Sequence, residues 1–305
     1  MKRLDPLIVC ILAAVGLAIA FPSDAQFFGI ITNLGIALLF YLYGARLSTT
    51  EALQGLKHWK LHATILAFTF GLYPIIGIAL RPISAWVGED IYLGILYLCL
   101  VPSTVQSSVA FTSIAKGNVA GAIVSASLSN LVGVLATPVL VMALMNRAAA
   151  IDASVFVEIS TLLLAPFLLG QLTRKWTAPI AQSKVTKIVD RGSIALVVYT
   201  AFSEGMINGV WSSVKLTHLV FLVACAIVLV AFMLWLTKET GRRLGFALSD
   251  TRAIQFCGSK KSLATGLPMA AVIFGGGVGV FILPLMIYHQ VQLLMCSWYA
   301  AKVSS

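Results

Sequence analysis

The stretch Gln255-Phe256-Cys257-Gly258-Ser259-Lys260-Lys261-Ser262 lies inside a run, residues 251–274, that is otherwise apolar enough to cross a bilayer. A lysine at the centre of a membrane helix costs about 2.5–3.5 kcal/mol on insertion scales, so it ordinarily faces a cavity, a partner or a functional site. Neighbouring side chains on a helix point about 100° apart. Lys260 and Lys261 therefore share one site only where the backbone is unwound. The competing reading starts the span later and makes both lysines cytoplasmic anchors, which leaves a short span after Ser262 and an oddly apolar loop before it.

A second interruption, Pro102-Ser103-Thr104-Val105-Gln106-Ser107-Ser108, breaks another apolar run about half a chain earlier. Unwinding frees carbonyls and amides that a helix would pair internally, and helix amino-terminal ends add positive dipole character. Paired breaks at corresponding places in two halves point to the binding site of a secondary transporter. Small and polar residues that merely kink packed helices are the plainer reading of either break alone.

The whole chain sets the context. Of its 305 residues 59% are hydrophobic and 10% charged, with a mean hydropathy of +0.96. A soluble domain carries about 25% charged residues, so most of this surface must face lipid. Apolar runs read as helices near 5–22, 27–46, 61–82, 91–116, 119–146, 153–173, 190–210, 216–237, 251–274 and 278–300, with Arg174–Asp190 as a long cytoplasmic linker. Continuous apolar runs exclude a barrel, whose strands alternate. The expected fold is an all-α polytopic membrane protein of ten transmembrane helices. The breaks fall in spans four and nine, each fourth in a set of five, and five being odd makes the two sets inverted repeats.

With a cytoplasmic amino terminus, sixteen of the 21 basic residues fall inside and only Arg81, Arg147 and Lys215 outside. That bias puts both termini in the cytoplasm. The formal charge of +10 then reads as membrane anchoring, and nucleic acid has no place among the partners, which are the lipid bilayer and a small organic solute. Lys2-Arg3 before an apolar run and Ser23-Asp24-Ala25 after it resemble a signal peptide, but parity needs that span. Leu47–His62 reads as a short interfacial helix.

The candidate solute and ion pathway gathers Ser103, Thr104, Gln106, Ser107 and Ser108 from span four with Gln255, Gly258, Ser259, Lys260, Lys261 and Ser262 from span nine. Thr69 in span three, Ser129 and Asn130 in span five and His289 in span ten flank it. Glu204 is a candidate charge partner for a lysine, with Glu158 a weaker one. Cys10, Cys99, Cys225, Cys257 and Cys296 show no CxxC spacing and read as packing residues. No metal set, cofactor motif or nucleophile–base pair can be assembled, so the chain reads as neither metalloprotein nor enzyme. Gly275-Gly276-Gly277 is a turn with no strand before it.

Ala115-Lys116-Gly117-Asn118-Val119-Ala120, Leu131-Val132-Gly133-Val134-Leu135-Ala136-Thr137-Pro138 and Phe256-Cys257-Gly258-Ser259-Lys260-Lys261-Ser262-Leu263-Ala264-Thr265-Gly266-Leu267-Pro268 resemble the bile acid:sodium symporter family, solute carrier family ten, in its SBF-like branch. The resemblance runs along essentially the whole chain. It implies a panel domain (1–60 and 153–211) and a core domain (61–147 and 216–301) in which interrupted helices four and nine cross. It also implies sodium as a coupling ion, but the family's helix-nine glutamate is replaced by Gln255, its glutamine by Ser259, and its helix-three glutamine by Thr69. At the serine-asparagine position of helix four stand Ser107-Ser108, or Val109 at the asparagine if the register shifts by one. Losing the carboxylate and adding two ammonium groups opposes a monovalent cation. One lysine then stands in for sodium, and a proton is the alternative coupling ion.

The expected function is secondary-active transport of an organic, anionic solute by alternating access. A non-transporting membrane sensor or regulator of cation flux is the other reading of the same residues. The expected location is a bacterial inner or plasma membrane. In a bacterial host, a carboxy-terminal green fluorescent protein fusion should fluoresce and an alkaline phosphatase fusion should be inactive; the reverse pattern would invert the topology.

Overall fold

The computed structural model describes residues 6–23, 25–46, 58–149, 153–207, 214–274 and 279–304, and every regular element among them is a helix. Apart from two short turns of helix, Arg81–Ile83 and Ser84–Val87, these are in chain order α1 (Pro6–Ala20), α2 (Ala25–Arg46), α3 (Trp59–Ala79), α4 (Glu89–Leu100), α5 (Gln106–Ile114) and α6 (Val119–Ala149). They continue with α7 (Ala153–Ala181), α8 (Lys184–Ile207), α9 (Leu216–Arg243), α10 (Leu248–Gly258), α11 (Leu263–Phe274) and α12 (Gly279–Ser304). Among the described residues four runs are long and apolar enough to cross a membrane: Trp59–Ala79, Val119–Met145, Leu216–Arg243 and Gly279–Ser304. The chain is an integral membrane protein. On α9, Val220, Val228 and Trp235 are exposed while Val230 and Met233 are buried, the mark of a helix apolar on every side.

The two polar interruptions are breaks in the backbone. The 12-residue α4 stops at Leu100, Val101 is extended at φ −76°, ψ 157°, and the 9-residue α5 resumes at Gln106. The 11-residue α10 stops at Gly258 and the 12-residue α11 starts at Leu263. At about 1.5 Å per residue, none of these pieces alone spans a hydrocarbon core of about 30 Å. Pro102 explains the first stop, since a proline disfavours helix at the residue before it and has no N–H to donate backwards.

Packing divides the chain into two units: Met1–Ser48, Asn146–Val214 and Leu267–Val280 form one, and Thr49–Met145, Lys215–Gly266 and Phe281–Ser305 the other. In the first unit α2 packs on α7 and α8, and α1 on α8. The α2–α7 approach is set by glycines. A Cβ on Gly44 would fall on the Phe167 main-chain oxygen, and one on Gly170 on that of Tyr41. Tyr41 Oη and Thr173 Oγ1 hydrogen bond across the same seam at 2.8 Å, and Gln171 Nε2 donates to Gly44 O at 2.6 Å. Small residues that let backbones touch, with a few polar links, are what holds helices together where lipid is as apolar as leucine.

The expected linker Arg174–Asp190 is corrected: it is helical except for Gln182-Ser183. Ser183 Oγ accepts from Thr186 N at 3.4 Å to cap α8, and Thr186 Oγ1 donates to Ala181 O at 2.8 Å. Arg46 Nε donates to the same carbonyl at 2.6 Å, and Arg46 Nη1 pairs with Asp190 Oδ2 at 2.6 Å. Polar composition marked where the apolar run ended, and the helix continues past it because these side chains satisfy its turn. Span three also ends earlier than expected, at Ala79. Most of the expected interfacial helix, residues 47–57, the Gly275–Gly277 turn, and the side chains of Glu158 and Glu204 lie outside the described residues.

Replacing Gly170 with alanine should destabilise the protein by about 1–3 kcal/mol, the usual range for overpacking, and valine should do more. Thermal unfolding in detergent micelles reads this; an unchanged midpoint for both variants would show that the seam relaxes freely.

Candidate functional site

In the second unit the two breaks meet. Ser262 N donates to Pro102 O at 2.8 Å, and Ser103 Oγ donates to Cys257 O at 2.6 Å. A helix end leaves its last carbonyls without intrahelical donors, and the first break shows where each finds one. Cys99 O and Val101 O accept from Lys261 Nζ at 2.9 and 2.8 Å. Leu100 O accepts from Thr137 Oγ1 at 2.9 Å. Pro102 O takes Ser262 N, and Ser103 O takes Asn130 Nδ2 at 2.9 Å. Five successive carbonyls are thus paired, all by groups on α6 and the second break.

The third bond of the Lys261 ammonium goes to Thr69 O at 2.9 Å. That oxygen is free for a reason written in the sequence. Phe68–Leu72 form a π turn, in which Tyr73 N bonds Phe68 O. Thr69 O then looks for a donor at residue 74, and Pro74 has none. The Tyr73 ring completes the pocket, 4.2 Å from Nζ to its centroid.

Lys261 is held from its backbone as well. Its N–H donates to Gln292 Oε1 at 2.9 Å and its carbonyl accepts from Gln292 Nε2 at 2.8 Å. The same amide nitrogen lies 2.9 Å from His289 Nδ1. Tyr73 and Tyr288, 2.6 Å apart at their hydroxyls, both reach Ser259 O, at 2.8 and 2.9 Å. Thr265 Oγ1 donates to Asn130 Oδ1 at 2.7 Å and lies 3.0 Å from Ser262 Oγ, while Ser129 Oγ accepts from Ser103 N at 3.0 Å.

Lys260, with the same zero exposure, points elsewhere. Its Nζ lies 3.8 Å from the centroid of the Phe111 ring and has no hydrogen-bond partner among the described residues. Both lysines are buried, and neither side chain reaches solvent. A ring face offers a desolvated ammonium about 2 kcal/mol, far less than the water it replaces.

Of the residues expected to form the pathway, Thr69, Ser103, Thr104, Ser108, Ser129, Gln255, Gly258, Ser259, Lys260, Lys261, Ser262 and His289 are buried. Ser107 and Asn130 are half-buried, and Gln106 is exposed. Gln255 Nε2 donates to Leu234 O at 2.8 Å and Ser259 Oγ to Gln255 O at 2.6 Å, so both are engaged along α9 and α10. Thr69 Oγ1 bonds Ile65 O at 2.9 Å, and only its carbonyl serves the site. Sequence reasoning passed over Gln292, Tyr73, Tyr288 and Pro74. Gln292 carried a signal, a polar residue one turn from His289 on the same helix face; the tyrosines read as ordinary aromatics.

Paired discontinuous membrane helices that meet are a feature of many secondary transporters. Residues 5–305 match the SBF-like CPA transporter family, and the chain belongs to it. It is 46% identical to an uncharacterized Pseudomonas aeruginosa protein over 98% of this chain and 92% of that one. It is 43% identical to YfeH of Escherichia coli K12 over 99% and 93%. Sodium/bile acid cotransporter 7 of Xenopus tropicalis is 27% identical over 90% and 82%.

Gln292→Leu keeps the bulk but strips both backbone partners from Lys261, and a buried unpaired group costs about 1–3 kcal/mol. A lowered unfolding midpoint is expected, with Gln292→Glu, which keeps the acceptor, in between; equal stability of all three proteins would show that the clamp is dispensable.

Proposed function

We propose that this protein is a secondary-active transporter that moves an organic, anionic solute by alternating access and does not use sodium. Its ten spans form two inverted five-helix repeats with both termini in the cytoplasm, and a core rocks against a panel, with the meeting of the two breaks as the site. The family assignment, the relative named as a cotransporter and the two packing units support this reading. The observation that carries it is the ammonium of Lys261 bound by three main-chain carbonyls where the breaks meet.

Sodium needs hard oxygen ligands and is helped by a carboxylate. Here the carbonyls of Thr69, Cys99 and Val101 already carry a positive charge that the chain supplies itself. Among the described residues no carboxylate pairs with either lysine. A second monovalent cation at that place would meet an ammonium a few ångströms away, which repels it strongly in a medium of low dielectric. The residues present do not fit sodium. They fit a tethered cation that does not dissociate during the cycle.

Purified protein in liposomes should accumulate labelled taurocholate, the probe suggested by the name of the cotransporter relative, at a rate indifferent to replacing external potassium with sodium. Uptake that rises steeply with sodium would overturn sodium independence. No uptake of taurocholate or of a panel of smaller carboxylates would overturn the transporter reading in favour of a sensor.

A further inference from the structure

Lys260 and Lys261 are adjacent in sequence and opposite in solvation. An ammonium has three N–H bonds, and Lys261 gives one to each of three carbonyls. A neutral amine has only two, so one carbonyl would then face its lone pair. Three carbonyl acceptors around one nitrogen thus favour its protonated form. Lys260 has no oxygen or nitrogen acceptor among the described residues, although its side chain is fully buried.

Its surroundings are apolar or neutral on each side described. From α5 comes the Phe111 ring, which with Phe256 and Tyr299 forms a chain of aromatic contacts at centroid distances of 6.2 Å. The titratable groups that face it are the thiols of Cys257 on α10 and Cys296 on α12. The nearest fixed charge in sequence is the ammonium of Lys261. Neither thiol is a carboxylate that would pair with a buried ammonium, and burying an unpaired charge is costly.

We propose that Lys260 is the proton-binding site of the transport cycle, resting on the transporter reading above. In the closed arrangement the side chain is an amine over the Phe111 face. When the core opens to water it binds a proton, and the resulting ammonium becomes the partner of the solute's anionic group. The core closes again over the neutral pair, or over the amine alone once the proton has left to the opposite aqueous side. The closed ammonium without an anion is the species the surroundings exclude. One proton therefore travels with each negative charge of the solute, and Lys261 supplies a constant charge that takes no part in the exchange.

The test needs no solute. Protein labelled with 15N in its lysines, in detergent micelles at about pH 8.5, below the ordinary lysine value of about 10.4, should show one side-chain nitrogen as an amine. That signal should convert to ammonium as the pH falls, be missing from Lys260→Met and persist in Lys261→Met. A wild-type spectrum in which every lysine is an ammonium would overturn the proposal, and because it uses the native chain it stands even if a variant fails to fold. So would an amine signal that survives in Lys260→Met. In liposomes, an inward proton gradient should speed taurocholate uptake by wild type and not by Lys260→Gln. A gradient effect equal in both would overturn the coupling, whereas absence of uptake beside the expected spectrum would count against the transporter reading and leave the proton site standing.

Discussion

The ammonium of Lys261 is the interaction on which the second unit depends, because it answers the main problem of a broken helix in a membrane. Hydrocarbon offers no water, so every carbonyl that a break frees must find a donor in the protein. Val101 turns away from α4, Pro102 cannot donate, and the π turn ahead of Pro74 releases Thr69 O. Three acceptors from two separate elements then converge, and a lysine is the one side chain with three donors on a single atom. The grip on Lys261 is itself two-sided. Gln292 holds its backbone as another peptide would, and the backbone N–H of Ser262 closes on Pro102. Each break is thereby the other's hydrogen-bond partner.

Tethering changes what such a site can do. A dissociable ion leaves its ligands unpaired when it goes, and the breaks become free to rearrange. A lysine stays within reach, so the carbonyls keep a donor, and opening must either carry the α4 end, the π turn and the second break together or give up three charge-assisted bonds at once. The rigid assembly α3–α4–α10 is the expected consequence. The first unit solves its packing differently. Backbone contacts at Gly44 and Gly170 need no donors, and its polar links run from the Tyr41–Thr173 and Gln171–Gly44 pairs in the seam to the helix ends, where Arg46 caps the Ala181 carbonyl and pairs with Asp190.

Much of this was legible in the residues. Both breaks, the all-helical character and the exceptional status of the two lysines follow from polar residues standing in apolar runs, a signal that survives without any contact information. The family resemblance rested in part on the second of these breaks and in part on residues 115–120 and 131–138. Which lysine enters the crossing was not legible, since that is decided by the course of the unwound backbone between Ser259 and Ser262, and unwound residues have no periodicity to read. Gln292 was missed for a related reason: its neighbour Gln290 looks identical in sequence, and only the helix phase puts one against Lys261 and leaves the other half-buried. The linker error came from treating polarity as the end of a helix, when Thr186, Ser183 and Arg46 let the helices run on beyond the apolar stretch.

The charge balance of the site bears on what it carries. A cation surrounded by three carbonyl dipoles is well solvated, yet its net charge persists, and no carboxylate among the described residues cancels it. A buried net charge raises the energy of any state in which it is far from water. It also favours any anion that can approach it, the more so as the dielectric falls. On the proposed reading, a transporter with a positive charge where its breaks meet would therefore be biased towards anions whether or not any side chain touches the solute. A second positive group that can discharge, as proposed for Lys260, would add control to that bias: charged, it would strengthen the attraction for an incoming anion, and discharged, it would let go. Two adjacent lysines with equal solvation could not divide the work in this way. It is the difference between three carbonyls and one ring face, separated by a single residue of unwound backbone, that makes the pair more than a doubled charge.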